Sequence, residues 1–125
     1  MLELLPSEAD HLLAMRIGDR VTAPDIQVAI DAIETLKKIQ PRISLYIEID
    51  DMRWMTFTAF LRDLGYGLTQ LGDLDRYYRA AVLSDKRWIR HLARLEDRLF
   101  KRMEIQTFPL HDKPSALEWV RQRPE

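Results

Sequence analysis

The sequence has no cysteine, few glycines and no long apolar run, and each absence excludes a class of protein. Without cysteine there is no disulfide, thiolate metal site or cysteine nucleophile, which suits a reducing compartment. The four glycines lack the spacing of a phosphate-binding loop. No stretch reaches the roughly 18 apolar residues of a membrane-spanning helix, and the first residues lack the basic region of a secretory signal. We therefore expect a cytoplasmic protein.

The spacing of the histidines and the length of the chain bear on metal binding and on the number of domains. His11, His91 and His111 are far apart and have no zinc-type spacing, so we expect no metal and no cofactor. A chain of 125 residues with 46% hydrophobic residues is large enough for one core. We expect one domain over residues 1–125.

Charge is distributed unevenly along the chain. Residues 1–75 carry 13 acidic and 7 basic side chains, whereas residues 76–125 carry 7 acidic and 12 basic ones. The second part can therefore meet an anionic partner, or its charges can form a solvated helix face.

The pattern of apolar residues and turn signals predicts an α/β fold. Strands are predicted at residues 2–5, 12–17, 43–49, 77–83 and 103–108. Helices are predicted over 22–39 and 56–71, from Ser84-Asp85 past Leu99, and from Asp112 past Val120. The order β-β-α-β-α-β-α-β-α indicates an open, mixed sheet whose first pair is a hairpin and whose last four strands are largely parallel.

Several short segments are informative as a set: Leu2-Glu3-Leu4-Leu5-Pro6, Ile17-Gly18, Val21-Thr22-Ala23-Pro24-Asp25, Ile49-Asp50, Trp54, Ser84-Asp85-Lys86-Arg87-Trp88 and Ala116-Leu117-Glu118-Trp119-Val120. These segments resemble the SpoIIAA-like family, which shares its fold with STAS domains and has been likened to CRAL-TRIO lipid-binding domains. The resemblance covers nearly the whole chain. It implies a binding or regulatory module without established catalytic activity.

The loop after the predicted central strand is where STAS regulators carry a phosphorylated serine in an Asp-Ser-Ser-Gly type motif. The matching stretch here runs from Asp50 to Thr58 and contains neither serine nor glycine. Its candidate regulatory residues are Asp50, Asp51 and Thr56, and the simpler interpretation of Thr56 is a helix N-cap. Ligands often bind at the end of such a strand, so an aspartate-based activity is kept as a minor alternative.

An apolar set around the second helix is too broad for one helix face. Trp54 and Met55 lie outside the stripe that includes Phe57, Phe60 and Leu64. Together with Trp88 and Leu92 of the third predicted helix, these residues either belong to the core or form a site for a lipophilic ligand, a membrane or a second copy of the chain.

The third predicted helix also carries a basic stripe. Arg87, Arg90, Arg94 and Arg98 lie roughly 130° from the apolar stripe that includes Trp88 and Leu92, at about 100° per residue. This layout is typical of helices that lie on anionic membranes, and equally of helices that pack on a sheet with a solvated face. Nucleic acid is not expected, because Trp and Tyr are not interleaved on the basic face of this helix and the chain as a whole is slightly acidic.

Two functions follow as hypotheses. The first is a non-enzymatic module that binds a lipophilic ligand or associates peripherally with a membrane through the second and third helices. The second is a STAS-type regulator that binds a protein partner through the loop after the central strand.

Overall fold

The computed structural model of the chain describes residues 1–7, 9–18, 20–72, 74–86 and 103–123, with Trp54 and Met55 as backbone. The strands are β1 (Leu2–Leu5), β2 (Leu12–Gly18), β3 (Ile43–Asp50), β4 (Tyr77–Leu83) and β5 (Glu104–Phe108). The helices are α1 (Ala23–Lys37), α2 (Trp54–Gln70) and α3 (Lys113–Val120), with 3₁₀ turns at Leu74–Arg76 and Leu110–Asp112. All five predicted strands are confirmed. The helix predicted after Ser84-Asp85 lies outside the described residues.

The five strands form one mixed sheet in the order β1-β2-β3-β4-β5. The hairpin pairs β1 and β2 antiparallel, with Leu2 opposite Ile17. The pairs β2–β3, β3–β4 and β4–β5 are all parallel, as the alternation of strands and helices predicted. Parallel pairing brings the carboxyl ends of four strands to one edge of the sheet.

Helix α1 begins where the sequence predicted, at a capping box. The Thr22 hydroxyl accepts a hydrogen bond from the Asp25 backbone N–H at 3.3 Å, and the Asp25 carboxylate accepts one from the Thr22 N–H at 3.0 Å. At the carboxyl-terminal end of α1, the Arg76 guanidinium donates hydrogen bonds to the carbonyl groups of Lys37, Gln40 and Pro41. These contacts satisfy carbonyls that a helix end leaves without intrahelical partners.

The side of the sheet that α1 and α2 cover, here called the α1–α2 face, holds the larger apolar core. Ile43, Leu45, Ile47 and Ile49 alternate along β3 and lie on this face, as period-2 alternation requires. The helices contribute Ala29, Ile33, Phe57, Phe60, Leu61, Leu64 and Leu68. Every one of these side chains is buried.

Helix α2 is continuous although it contains two glycines. It runs unbroken through Gly65 and Gly67, and Gly72 follows its end with a φ of 78°, a conformation that glycine adopts at little cost. A Cβ at Gly67 would lie 2.6 Å from the Ile30 Cδ1 atom of α1. Gly67 therefore serves the close packing of α2 against α1.

The opposite side of the sheet, here called the α3 face, is covered by the eight residues of α3. Its smaller core consists of Leu12, Ala14, Tyr46, Ala81, Leu83, Phe108, Ala116 and Val120. Because β3 is covered on both sides, its polar residues Ser44 and Glu48 are buried as well, with 0% and 6% of their surface exposed. The polar side of the central strand is thus an interior surface.

A bulge in β4 fixes the position of α3. The pairing steps from Ile43–Tyr77 to Leu45–Ala80, so β4 carries one extra residue and Tyr78 and Arg79 stand together opposite Ser44. The Arg79 guanidinium lies 4.9 Å from the Tyr78 ring centre and 4.7 Å from that of Trp119. It also donates a 2.9 Å hydrogen bond to the Trp119 carbonyl. The carboxyl-terminal end of α3 is thereby held against β4.

Candidate functional site: a charged cleft at the carboxyl edge

The ends of the parallel strands and the loops that follow them form what we call the carboxyl edge. Gly18 ends β2 opposite Asp50, which ends β3. Beyond β4, the Ser84 backbone N–H donates to the Phe108 carbonyl at 3.0 Å. Open α/β sheets bind their ligands at this edge, outside the carboxyl ends of the strands.

A buried carboxylate organises the charged side chains at this edge. The Glu48 Oε2 atom accepts a hydrogen bond from the Tyr46 hydroxyl at 2.8 Å. Its Oε1 atom lies 3.3 Å from the Arg16 Nη2 atom and 3.2 Å from the Lys113 Nζ atom. Arg16 stands directly beside Glu48 in the β2–β3 register, whereas Lys113 begins α3. We call these four residues the Glu48 cluster.

The protonation state of Glu48 follows from its partners. Burial acts to raise its pKa, but the hydrogen bonds from Tyr46 and Lys113, the charge of Lys113 and the Arg16 hydrogen bond together lower that pKa below its ordinary value. Glu48 is therefore an ionised acceptor at neutral pH. The Arg16 Nη1 atom also lies 3.6 Å from the Glu3 Oε2 atom, so the two cations beside Glu48 are matched by two carboxylates.

Beside the cluster lies an open cleft of about 370 Å³. Its polar walls are Arg16, Glu48, Asp50, His111 and Lys113, and Leu110 supplies its apolar surface, since the Ile49 side chain is buried in the core of the α1–α2 face. The cleft exists because α3 and its preceding 3₁₀ turn begin at this edge and leave the ends of β2 and β3 uncovered on the α3 face. Its volume lies at the lower end of the range for small-molecule sites.

The loop between β3 and α2 borders this cleft. Asp51 has a φ of 44°, in the left-handed region that few residues other than glycine adopt, and its side chain is 89% exposed. Lys86 lies 3.5 Å from its carboxylate. The next residue, Met52, is buried and anchors the loop in the core.

A hydrogen bond joins two further loops of the edge. The Asp85 carboxylate accepts a 3.1 Å hydrogen bond from the Leu110 backbone N–H. Together with the Asp51–Lys86 pair, this contact links the loops that follow β3, β4 and β5 around the cleft. A change in the conformation of one loop can therefore alter the conformation of the others.

The predicted regulatory residues are only partly brought together. Asp50 lines the cleft and Asp51 stands on its bordering loop. The interpretation of Thr56 as an N-cap is wrong, because α2 begins two residues earlier, at Trp54, with Arg53 as its N-cap. The apolar residues before Thr56 extend the helix by half a turn, so Thr56 lies inside the first turn.

The predicted apolar site residues lie elsewhere. Phe57, Phe60 and Leu64 are buried in the core of the α1–α2 face, with 0%, 2% and 1% of their surface exposed. The side chains of Trp54 and Met55 lie outside the described part, as do all of Trp88, Leu92, Arg87, Arg90, Arg94 and Arg98. A lipophilic or membrane site built from these residues stays a prediction.

Sequence reasoning missed the cations and the carboxylate that form the cleft. Arg16, Glu48 and Lys113 come from three distant segments, and neither their spacing nor their composition marks them as a set. One signal in the sequence could have pointed to this site: Glu48 is an acidic residue in a strand whose other residues favour burial. Pairing it with Arg16 required the strand register, which the sequence alone does not provide.

A second depression, of about 550 Å³, lies at the opposite edge of the sheet. It is more open and is lined by exposed polar residues, among them Asp10, Glu118 and Arg123. Nearby, His11 is buried and its Nε2 atom lies 3.2 Å from the Gln122 carbonyl oxygen. Burial, and to a smaller extent the charge of Arg123, lower the pKa of His11 against the opposing effects of the Gln122 carbonyl and Asp10. This depression has no buried charged cluster like that of Glu48 among its described lining residues.

The described residues form neither a metal-binding cluster nor a helix that could cross a membrane. Over residues 1–7, 9–18, 20–72, 74–86 and 103–123, no group of three or more histidine and acidic side chains could hold a metal ion. None of the described helices has the length and hydropathy needed to cross a membrane.

The fold and the charged edge define a STAS-like α/β module of binding or regulatory type. The family model described as SpoIIAA-like matches residues 12–121, and the chain belongs to that family. A solved structure with the same fold is that of an uncharacterised protein of the DUF3478 family from Shewanella loihica PV-4, described as SpoIIAA-like. The two chains are 22% identical, with a TM-score of 0.59 over 96% of this chain and 92% of the other. No curated protein matches the sequence.

Proposed function

We propose that this protein is a non-enzymatic regulatory module that binds a small polar ligand in the cleft at its carboxyl edge. The observation that carries the proposal is the buried Glu48 carboxylate, which holds Arg16 and Lys113 at the wall of a 370 Å³ cleft. Burying the Glu48 carboxylate costs free energy that an apolar side chain of similar volume would not cost. Its position where parallel sheets bind ligands supports a functional reason for keeping it.

Binding is a better account of this cluster than catalysis. A general base works best with a pKa near the operating pH, whereas the pKa of Glu48 is lowered below that of an ordinary glutamate. Both oxygens already accept hydrogen bonds, from Tyr46 and from the two cations. Glu48 is thus suited to orienting its neighbours and poorly suited to taking up a proton.

The loop that borders the cleft is the proposed contact for a protein partner. Asp51 is exposed and conformationally strained, and its ion pair with Lys86 links the β3–α2 loop to the loop that follows β4. A ligand in the cleft would contact Asp50, the residue next to it. Occupancy of the cleft can therefore alter the loop that a partner recognises.

A fragment screen tests ligand binding in the cleft. Isotope-labelled protein is titrated with small neutral, cationic and anionic fragments, and amide shifts are mapped on the sequence. We expect the shifts to concentrate at Ile49, Asp50 and Leu110. Leu110→Trp should block them by filling the cleft, whereas Ile39→Trp, at a position 72% exposed and far from the cleft, should not. Fragments that shift only residues elsewhere, or unaltered binding to Leu110→Trp, would contradict the proposal.

Partner binding is tested separately. A protein captured by the parent chain should be lost with Asp51→Lys and retained with Asp75→Lys, which makes the same charge change at an exposed residue of the opposite edge. Equal effects of the two substitutions would indicate general electrostatics and contradict a role for the loop.

A further inference from the structure

We infer that His11 is a pH-sensitive latch whose protonation releases the turn that follows α3 from the edge of the sheet opposite the cleft. This turn consists of residues 121–123 and is called the 121–123 turn here. Neither His11 nor the turn lines the cleft, so the latch does not depend on the proposed function. Its basis is the burial of the His11 ring, the surroundings of the two ring nitrogens and the way the turn is held.

The two ring nitrogens of His11 have different surroundings. The residue is 2% exposed. Its Nε2 atom lies 3.2 Å from the Gln122 carbonyl oxygen, and a carbonyl can only accept, so the neutral ring carries its proton on Nε2 and donates it there. The Nδ1 atom is buried and has no hydrogen-bond partner among the residues that the structure describes. A proton added at Nδ1 would therefore be a buried donor without an acceptor.

Protonation of His11 is costly while the 121–123 turn covers the ring. A charge held away from water is unfavourable unless partners compensate it, and the new N–H finds none in the described part of the chain. Gln122 meets the ring on one side and lines an open depression on the other. Movement of the turn into solvent would expose both ring nitrogens to water, which pairs the second N–H and solvates the charge.

The other contacts of the turn with the sheet are exposed. The Arg79 Nη1 atom donates a 2.8 Å hydrogen bond to the Gln122 Oε1 atom at the surface. The Arg123 Nη2 atom lies 3.8 Å from the Asp10 Oδ2 atom, and both side chains are more than two-thirds exposed. A pair of this kind contributes little to stability. Loss of the buried contact with His11 should therefore be enough to open the turn while the rest of the domain stays folded.

Charged side chains reach the surroundings of His11 from several elements. They are Asp10 before β2, Glu118 on α3, Arg121 and Arg123 on the turn, and Arg79 of β4, which acts through the Gln122 side chain. On the β3 side the contact is uncharged, because the Ser44 backbone N–H donates to the His11 carbonyl at 2.9 Å. The two nearby carboxylates titrate as well, so they require controls of their own.

The direction of the pH effect follows from linkage. Burial of the ring is the main cause that lowers the pKa of His11 from 6.5 in the closed form, and Arg123 adds to it against the Gln122 carbonyl and Asp10. In the released form the ring lies in water and its pKa returns to about 6.5. Opening should therefore become more favourable below about pH 6.5, by up to about 10-fold per pH unit, until the pH reaches the lowered pKa of the closed form.

Amide hydrogen exchange, measured residue by residue by NMR between about pH 7.5 and pH 5, tests the latch. The probe is the Arg121 N–H, which donates to the Leu117 carbonyl at 3.0 Å as the last helical bond of α3. Corrected for intrinsic exchange, its protection should be constant above about pH 6.5 and fall by up to about 10-fold per pH unit below it. The Ile47 N–H of the central strand should remain more protected at every pH.

Three variants assign the proton to His11. His11→Gln keeps an N–H that can donate to the Gln122 carbonyl but does not titrate, so the protection of Arg121 should no longer change with pH. Asp10→Asn and Glu118→Gln remove the neighbouring carboxylates and should keep the pH dependence. Both leave His11 in place, so they decide the assignment even if His11→Gln does not fold.

Each result supports or overturns the latch. Protection of Arg121 that does not change with pH in the parent protein would overturn it, and so would a dependence that persists in His11→Gln. Loss of the dependence in Asp10→Asn or Glu118→Gln would assign the proton to that carboxylate. Equal protection of Arg121 and Ile47 at every pH would show that the proton acts by unfolding the whole domain, which would overturn a local release.

Discussion

The two faces of the sheet are both buried, yet they are built from different chemistry. The α1–α2 face is covered by two long helices, and its core consists of apolar side chains from β2, β3 and β4. The α3 face is covered by one helix of eight residues and contains Arg16, Glu48 and Arg79 beside a smaller apolar core. The first face supplies most of the stability, whereas the second leaves room for a polar site at its carboxyl edge.

The largest loss of stability is expected from a substitution in the core of the α1–α2 face. Phe57→Ala removes a fully buried ring from between α2 and the sheet. It should lower the free energy of unfolding by about 3–5 kcal/mol, because the lost burial is followed by a cavity. Urea denaturation followed by circular dichroism measures this loss. A decrease below about 1 kcal/mol would mean that α2 does not pack on the sheet as described.

A smaller effect is expected from the charged cluster on the α3 face. Glu48→Gln keeps the shape of the side chain but removes the charge that orients Arg16 and Lys113. The cost should be about 1–3 kcal/mol at neutral pH, as for a buried hydrogen-bonded group that loses its charge. The two cations are partly exposed and can be hydrated, which limits the loss.

Glu48→Gln should also change how the free energy of unfolding depends on pH. The folded-state pKa of Glu48 is lowered from 4.5, so the stability that ionised Glu48 contributes is present above about pH 4.5 and is lost as the pH falls through the lowered value. Denaturation of the parent protein and of Glu48→Gln between pH 7 and pH 3 should show the two free energies converging below about pH 4.5. Parallel curves would contradict the lowered pKa.

The opposite edge of the α3 face should respond in a different pH range. The folded-state pKa of His11 is lowered from 6.5, so its contribution is present above about pH 6.5 and declines as the pH falls through the lowered value. The free energy of unfolding should decrease between pH 7 and pH 5, and His11→Gln should remove this dependence. A variant that keeps the full slope would contradict the role of His11.

The smallest effect is expected at the loop itself. Asp51→Gly accepts the positive φ without strain, but it raises the entropy of the unfolded chain and loses a surface ion pair with Lys86. These terms nearly cancel, so the free energy of unfolding should change by less than about 0.5 kcal/mol. A thermal denaturation scan checks this. A larger loss of free energy of unfolding would show that this loop stabilises the fold. It would contradict the view that stability comes from the apolar faces and not from the carboxyl edge.

Most of the fold could be predicted from the sequence because the signals for its strands and helices are local. The alternation along residues 43–49, the capping box at Thr22 and the turn signals around each strand depend on neighbouring residues alone. The predicted strands therefore coincide with the observed ones to within a residue or so. The beginning of α2 was less accessible, because Arg53 makes no side-chain cap that could mark it.

The cleft was decided by tertiary structure. Only the β2–β3 register places Arg16 beside Glu48, and only the return of the chain after β5 brings Lys113 to them. The sequence had likewise marked the apolar residues of α2 as a candidate site, and the packing of α1 and the sheet made Phe57, Phe60 and Leu64 core. Hydrophobic periodicity reports which residues avoid water, since it depends on spacing within one segment. It does not report which charged groups from distant segments meet, because that depends on how the segments pack.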